Sequence, residues 1–180
     1  YLSAVVVNDK IITIGGIHTP DPLPSWKTLR VEIYDSETRR WSNHPVRSGN
    51  SRAQYMTTVE IYNPVLGTWS DGAPAPQARH DAEAVVIDSV VYWIGGHGAG
   101  HRVGRLESMD AYDVATDSWS SKAPMTKKRH NPAVAVVDKQ IYVFGGNDGI
   151  EPCHDLVERY DPPSDTWEIL GRMPNCLTVG

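Results

Sequence analysis

The chain has 180 residues, of which 40% are hydrophobic and 22% are charged. These values exclude a wholly disordered chain and predict a folded region with a sizeable core. Lys and Arg number 17 against 22 Asp and Glu, a net charge of -5, which provides no basic field for non-specific binding to DNA or RNA. No apolar run approaches the ~18 residues that span a bilayer, so we expect no membrane partner.

Turn residues and polar aromatic residues are frequent. The chain contains 15 Gly and 13 Pro, which favours many short elements. Its aromatic residues are 6 Trp and 8 Tyr against 1 Phe, so most aromatic positions require a ring with a polar atom at its edge. The two cysteines, Cys153 and Cys176, and an N-terminal segment without a cationic flank lead us to expect a reducing, cytoplasmic compartment.

A repeat organises the chain. Four tyrosines are each followed by a tryptophan seven residues later, and each pair lies in a segment with the pattern of strand, turn and strand. Three di-glycines end apolar runs, at Gly15-Gly16, Gly95-Gly96 and Gly145-Gly146. Four short strands per unit predict one antiparallel sheet, and no stretch has the 3.6-residue apolar period of a helix. The pairs are Tyr34 and Trp41, Tyr62 and Trp69, Tyr112 and Trp119, and Tyr160 and Trp167.

The repeat divides the chain into four units. The first, residues 1–45, begins inside its first strand, and the second, residues 46–76, is partial. Tyr62 follows Tyr34 by 28 residues, whereas 50 residues separate Tyr62 from Tyr112, so this unit is about 22 residues short near Asn50. Two explanations stay open: a true deletion in the protein, or a stretch of the protein that this sequence omits. The third and fourth units, 77–125 and 126–175, are complete, and each carries Arg-His sixteen residues before its di-glycine.

The units resemble the kelch repeat. They share with it the di-glycine, the Tyr–Trp spacing, an Ala-Pro-Met or Met-Pro segment and a following Arg-His. The resemblance implies an all-β fold, a kelch β-propeller of four-stranded antiparallel blades. The units found are fewer than the about five to seven blades of a closed kelch ring. We therefore expect an incomplete ring that further residues or another chain would complete.

The sequence predicts no catalytic set, no metal site and no cofactor. Seven histidines are present, but no HExxH or CxxC motif has metal-ligand spacing. The loop after Gly96 lacks GxGxxG spacing, and no GxSxG motif occurs. Glu151 and Asp155 share the spacing of the iron-binding motif of plant specifier proteins, another kelch group, but Arg159 stands at the position of the motif's histidine. We expect that the chain is not an enzyme.

The resemblance also implies a partner-binding face. In kelch propellers that recruit partners, the residue after each di-glycine and the two residues after the arginine that opens a blade line the peptide-binding face. Loops on a rigid scaffold commonly carry recognition, so we expect a protein or peptide ligand there. Carried over to this sequence, the positions are Ile17, His97 and Asn147, together with His80, Asp81, His130 and Asn131.

Two segments are most similar to BTB-kelch proteins. They are Ala123-Pro124-Met125, which precedes Arg129, and residues 157–162. That similarity implies the substrate-binding propeller of a cullin ubiquitin-ligase adaptor, linked to the cullin through a BTB domain outside this chain. Two alternatives stay open: a kelch enzyme acting on sugars, such as a mutarotase or an oxidase, and an actin-binding kelch protein of the cytoskeleton. An anomer-exchange assay discriminates an enzyme from a pure binding module.

Overall fold

The described part of the chain is built of β-strands. In the computed structural model it comprises residues 3–15, 17–18, 31–35, 40–44, 54–98, 104–150 and 153–177. These residues contain strands and no helix, which confirms the expected all-β class. In chain order the strands are β1 (Ser3–Val7), β2 (Lys10–Ile14), β3 (Ile17–His18), β4 (Val31–Asp35), β5 (Arg40–His44), β6 (Gln54–Tyr55), β7 (Val59–Asn63), β8 (Thr68–Gly72), β9 (Arg79–His80), β10 (Glu83–Ile87), β11 (Val90–Ile94), β12 (His97–Gly98), β13 (Met109–Asp113), β14 (Ser118–Lys122), β15 (Ala133–Val137), β16 (Gln140–Phe144), β17 (His154–Asp161) and β18 (Thr166–Leu177).

Three four-stranded antiparallel sheets form the blades. The first blade has the strand order β1-β2-β7-β8, the second β10-β11-β13-β14, and the third β15-β16-β17-β18. A two-residue turn joins the first two strands of each blade, and in the third blade this turn is Asp138-Lys139. Both turn residues have positive φ, 50° and 60°, which is typical of the type I′ turns that match the twist of a hairpin.

The Tyr and Trp of each blade lie directly opposite one another on its two outer strands. The ring centroids of each pair are 5.1 Å apart in all three blades. The tryptophan therefore stands on the fourth strand of its blade, as the constant spacing predicts. The opposed residues are Tyr62 and Trp69, Tyr112 and Trp119, and Tyr160 and Trp167.

The first blade combines strands from two units of the sequence repeat. Its inner strands, β1 and β2, belong to the unit 1–45, whereas β7 and β8 belong to the partial unit 46–76. The strands of the Tyr34–Trp41 segment, β4 and β5, pair with each other in a separate two-stranded sheet. Val59 of β7 stands opposite Ile14 of β2 and is buried in the core. The junction near Asn50 lies outside the described residues.

The core lies between the blades. Val7, Ile12 and Ile14 of the first blade pack in one cluster with Trp93 and Tyr112 of the second. A second cluster joins Tyr92, Ile94 and Met109 of the second blade to Ile141, Val143 and Tyr160 of the third. Alternate residues along each strand of the second blade thus face opposite neighbours. Because a fully buried Val or Ile stabilises by about 1.5–3 kcal/mol, stacking supplies much of the stability of each blade.

Hydrogen bonds from the polar atoms of the aromatic rings also join adjacent blades. The Trp119 Nε1 donates to the Ala73 carbonyl at 2.9 Å. The Asp117 carboxylate accepts from the Ala73 N–H at 2.6 Å and from the Tyr112 hydroxyl at 2.5 Å. Trp167, Asp165, Tyr160 and Ala123 repeat this arrangement one blade later. Phenylalanine offers no such donor, which explains why Tyr and Trp dominate the composition.

Cys153 and Cys176 form a disulfide with a Cα–Cα distance of 5.5 Å. The bond connects the residue before β17 to the end of β18, so it fixes the C-terminal part of the third blade. The compartment of the protein stays a prediction. No helix in the described ranges has the length and the apolar character needed to cross a membrane.

Candidate partner-binding face

A buried arginine opens the second blade and fixes the start of the candidate face. The guanidinium of Arg79 donates to the carbonyls of Gly95 and Ser108, each at 3.2 Å, and forms an ion pair with Asp110. It also lies 4.5 Å from the centroid of the Trp93 ring. Burial lowers the pKa of Arg79, and the carboxylate of Asp110 opposes that effect. The ion pair and the two carbonyls thereby offset the free-energy cost of burying the guanidinium charge.

Arg129 has the same role in the third blade. It is fully buried, donates to the Gly145 carbonyl at 2.8 Å and forms an ion pair with Glu158. The Glu158 carboxylate also accepts from the Thr126 N–H at 2.8 Å. The arginine that the sequence repeat shows in both complete units is therefore a structural residue, and the residues after it occupy equivalent positions in the two blades.

Two residues with a left-handed backbone conformation lie directly after the histidines of the candidate face. Asp81 and Asn131 follow the Arg-His pairs with φ values of 55° and 49°, a conformation that Asp and Asn tolerate better than most residues. Beyond these bends the hairpin pairing of each blade continues, and it places His80 opposite His97 and His130 opposite Asn147. The Asn131 N–H donates to the Asp81 carbonyl at 2.9 Å, so the two turns are also bonded to each other.

The side chains that meet there form what we call the histidine cluster, defined as His80, His97, His130 and Asp81. The rings of His80 and His97 stack with centroids 5.0 Å apart, and His130 meets His97 edge-on at 6.4 Å. One oxygen of Asp81 lies 2.8 Å from His80 Nδ1 and 3.7 Å from His130 Nδ1. Residues of two blades thus share a single carboxylate.

Burial keeps two of these histidines neutral near pH 7. It is the main cause that lowers the pKa of His80, against the opposing charge of Asp81. Burial also lowers the pKa of His130, and the positive charge of Arg105 lowers it further. Since an unperturbed histidine titrates near pH 6.5, both rings are uncharged at neutral pH. A neutral imidazole has one donor and one acceptor nitrogen, and in His80 the nitrogen that faces the Asp81 carboxylate is the donor.

Six of the seven positions expected on the face come together in the structure: His80, Asp81, His97, His130, Asn131 and Asn147. For Ile17, β3 places the backbone opposite Tyr55 on β6, but its side chain lies outside the described part. Whether these residues bind a partner stays a prediction. Sequence reasoning did not single out Arg105, because the family pattern marks only positions beside the di-glycine and the opening arginine.

Metal-ligand geometry is the next feature of the candidate face. Among the described residues, no group of three or more His, Cys, Asp or Glu side chains could hold a metal ion. In the histidine cluster, Nδ1 atoms of His80 and His130 are directed toward Asp81 rather than toward a common empty point. Arg159, at the position of the motif histidine of plant specifier proteins, forms an ion pair with Glu168.

Comparison with known proteins identifies the family. The kelch motif matches residues 78–126 and 128–174, and a second form of the motif matches residues 1–46. The chain therefore belongs to the kelch-repeat proteins. It is similar to Kelch-like protein terF of Aspergillus terreus (strain NIH 2624 / FGSC A1156), with 42% identity over 45 residues, 24% of this chain and 10% of that protein.

The fold is similar to that of the solved structure of YjhT. The TM-score is 0.70 at 15% sequence identity, and the match covers 98% of this chain and 54% of YjhT. At this identity the likeness shows the fold alone, and it agrees with the kelch β-propeller expected from the sequence. The chain spans about half the length of YjhT and a tenth of terF.

Proposed function

We propose that the chain is a non-enzymatic recognition module that binds a protein partner through the face around the histidine cluster. The observation that supports it most is convergence: His80, His97 and His130 come from two blades and meet around Asp81. Each is positioned by strand pairing or by a buried arginine, so the face is held rigid before a ligand arrives. Rigid presentation lowers the entropy cost of binding.

The finer proposal is that this module is the substrate-binding propeller of a BTB-kelch cullin ubiquitin-ligase adaptor in the cytoplasm. Its support is the similarity of Ala123-Pro124-Met125 and of segment 157–162 to that subgroup. In that role the face captures the substrate and a BTB domain elsewhere binds the cullin. Co-purification of a cullin with the full-length gene product tests the adaptor role separately from the binding role.

A kelch enzyme acting on a sugar acid is the second candidate. It is favoured by one observation, the neighbouring neutral imidazole of His130 and guanidinium of Arg105, since a guanidinium can hold a carboxylate while an imidazole moves a proton. Incubation of the purified chain with one anomer of N-acetylneuraminic acid, followed by NMR, measures its exchange rate. A rate above that of buffer would overturn the purely non-enzymatic proposal.

The recognition proposal is tested by capture and substitution. The purified chain serves as bait for cell lysate, beside a His130→Gln variant and a Lys139→Gln control. Lys139 lies in the β15–β16 turn, in an exposed ion pair with Asp88, so the control removes a charge away from the histidine cluster. We expect one set of partners to be lost with His130→Gln and retained with the control. Identical capture by all three proteins would contradict the proposed face.

A further inference from the structure

Arg105 has a positive charge that the described residues leave unpaired. The other four arginines whose side chains are described, Arg79, Arg129, Arg159 and Arg172, each form an ion pair with a carboxylate. No ion pair within the described residues includes Arg105, and its Nε is buried without a hydrogen-bond partner. A guanidinium keeps its charge in proteins and carries five N–H donors. An unmatched, partly buried guanidinium is therefore suited to an anionic ligand.

The guanidinium of Arg105 is held in place by the loop of the third blade. Gly149 has φ +85°, and a Cβ built on it would lie 2.5 Å from Arg105 Cζ. The guanidinium thus rests against backbone that only a glycine leaves accessible. Two turns shape that loop: Asn147 Oδ1 accepts from the Gly149 N–H at 2.7 Å, and Asp148 Oδ1 from the Ile150 N–H at 2.8 Å.

Arg105 also borders the histidine cluster. Its backbone forms an antiparallel bridge with His97, and it is close enough to His130 that its charge lowers the pKa of that ring. Two carboxylates near the cluster are each directed at a histidine, Asp81 at His80 and Asp148 at His154. These two carboxylates therefore already face histidines, and no ion pair within the described residues joins either of them to Arg105.

We propose that Arg105, together with His97 and His130, binds a carboxylate, and that the partner segment recognised by this face is an acidic peptide. This inference rests on the proposed recognition function and names the chemistry of its ligand. The guanidinium supplies a charged fork for the carboxylate. The imidazole of His130 can donate to the same carboxylate once it has taken up a proton. A peptide is favoured over a small acid because the face extends over two blades, from His80 to Asn147.

A bound carboxylate has a consequence for pH dependence. The groups around His130 are Arg105, Asp81, His97 and Asn147. An anion placed among them stabilises the protonated form of His130, so proton uptake accompanies binding. Affinity should therefore rise as the pH falls from 8 to 6, provided that the ligand carboxylate remains ionised, as it does above about pH 5.

The test uses NMR titration of the full chain with two blocked amino acids, N-acetyl-glutamate amide and N-acetyl-glutamine amide, and with N-acetylneuraminic acid as a free sugar acid. We expect the glutamate compound to bind, with its shifts centred on residues beside Arg105, and the glutamine compound to bind at least tenfold more weakly. Arg105→Gln should weaken glutamate binding about tenfold or more, since a hydrogen bond to a charged group contributes about 1.5–3 kcal/mol. Arg105→Lys should retain part of the affinity, and Lys139→Gln should change it less than twofold.

Several outcomes would overturn the inference. Equal binding of the glutamate and glutamine compounds, or equal weakening by Arg105→Gln and Lys139→Gln, would show that no specific carboxylate site exists. Loss of lysate partners with His130→Gln but not with Arg105→Gln would refute the acidic ligand and leave the proposed recognition function standing. Arg105-dependent binding of N-acetylneuraminic acid without binding of the glutamate compound would contradict both and favour the sugar-acid enzyme. Thermal melts verify that each variant is folded.

Discussion

Single residues with unusual backbone conformations build the candidate face. Asp81 and Asn131 take left-handed conformations at equivalent positions, directly after the arginine and histidine that open their blades. Each lies at a bend in the first arm of a hairpin whose pairing continues beyond it, so that a histidine pairs with the residue after the di-glycine of the same blade. The preference for Asp and Asn at these sites follows from the cost of about 1–2 kcal/mol that other non-glycine residues meet in this conformation.

Substitution of Asn131 tests this requirement. Asn131→Ala should lower the free energy of unfolding by about 1 kcal/mol, because alanine tolerates φ near 49° less well than asparagine. Asn131→Gly should stay closer to wild type, since glycine adopts positive φ without steric cost. Urea denaturation of both variants measures the difference, with the exposed Asn175→Ala as a control. Equal stability of the alanine and glycine variants would show that the backbone conformation is not what selects asparagine.

Asp117 and Asp165 should make stability depend on acid pH. Hydrogen bonds from the Ala73 N–H and the Tyr112 hydroxyl lower the pKa of Asp117, and those from Tyr160 and Ala123 lower the pKa of Asp165. A carboxyl whose folded pKa lies below its unfolded value stabilises the protein above that unfolded value, about pH 4. This stabilisation is lost as the pH falls through the folded pKa.

Thermal melts between pH 5 and pH 2.5 measure this loss. We expect the melting temperature of the wild type to fall across this range and that of Asp117→Asn to fall less steeply. Asp138→Asn, which removes the same charge from a hairpin turn, serves as the control. If neither substitution changes how steeply the melting temperature falls with pH, the hydrogen bonds of Asp117 between the blades are not the cause of that fall.

At the level of elements, periodic patterns in the sequence predicted most of the strands. They did not predict which distant strands pair with each other. The four short strands of each unit predicted the antiparallel blades, and the constant Tyr–Trp spacing predicted the two strands that carry these rings. The sequence could not show that β2 pairs with β7, because the segments at Val31 and Val59 both read Val-Glu-Ile-Tyr. For the site, the family pattern marked the histidines, but Arg105 became visible only through its contact with Gly149.

The two Val-Glu-Ile-Tyr segments provide a matched pair of substitutions. Val59→Ala should destabilise the chain by about 2 kcal/mol, since Val59 is buried in the cluster between the first two blades. Val31→Ala should change stability by less than about 0.5 kcal/mol, because β4 pairs only with β5 among the described strands. Chemical denaturation of both variants decides the pairing. A large loss for Val31→Ala with a small one for Val59→Ala would show that β4, rather than β7, completes the first blade.

At the scale of the whole molecule, stacking of blades produces both the stability and the face. No blade holds the histidine cluster alone, because His80 and His97 come from the second blade and His130 from the third. The hydrophobic clusters follow the same rule, as each forms between two blades. The relative position of the second and third blades therefore sets the geometry of the candidate face. If this face binds the partner as we propose, a substitution in the core between the two blades should disturb binding as well as folding.

Equivalent positions on the second and third blades test how far this stacking continues. Ile87 ends β10 and is 8% exposed because the third blade covers it, whereas Val137 ends β15 at the equivalent position and is 53% exposed. Ile87→Asp places a carboxylate between two blades and should destabilise the chain by about 3 kcal/mol or more. Val137→Asp leaves its carboxylate in water and should change stability by less than about 0.5 kcal/mol. Thermal melts at two protein concentrations measure both effects. A loss for Val137→Asp as large as that for Ile87→Asp would mean that this face is covered in solution, and a concentration dependence of that loss would identify a second copy of the chain as the cover.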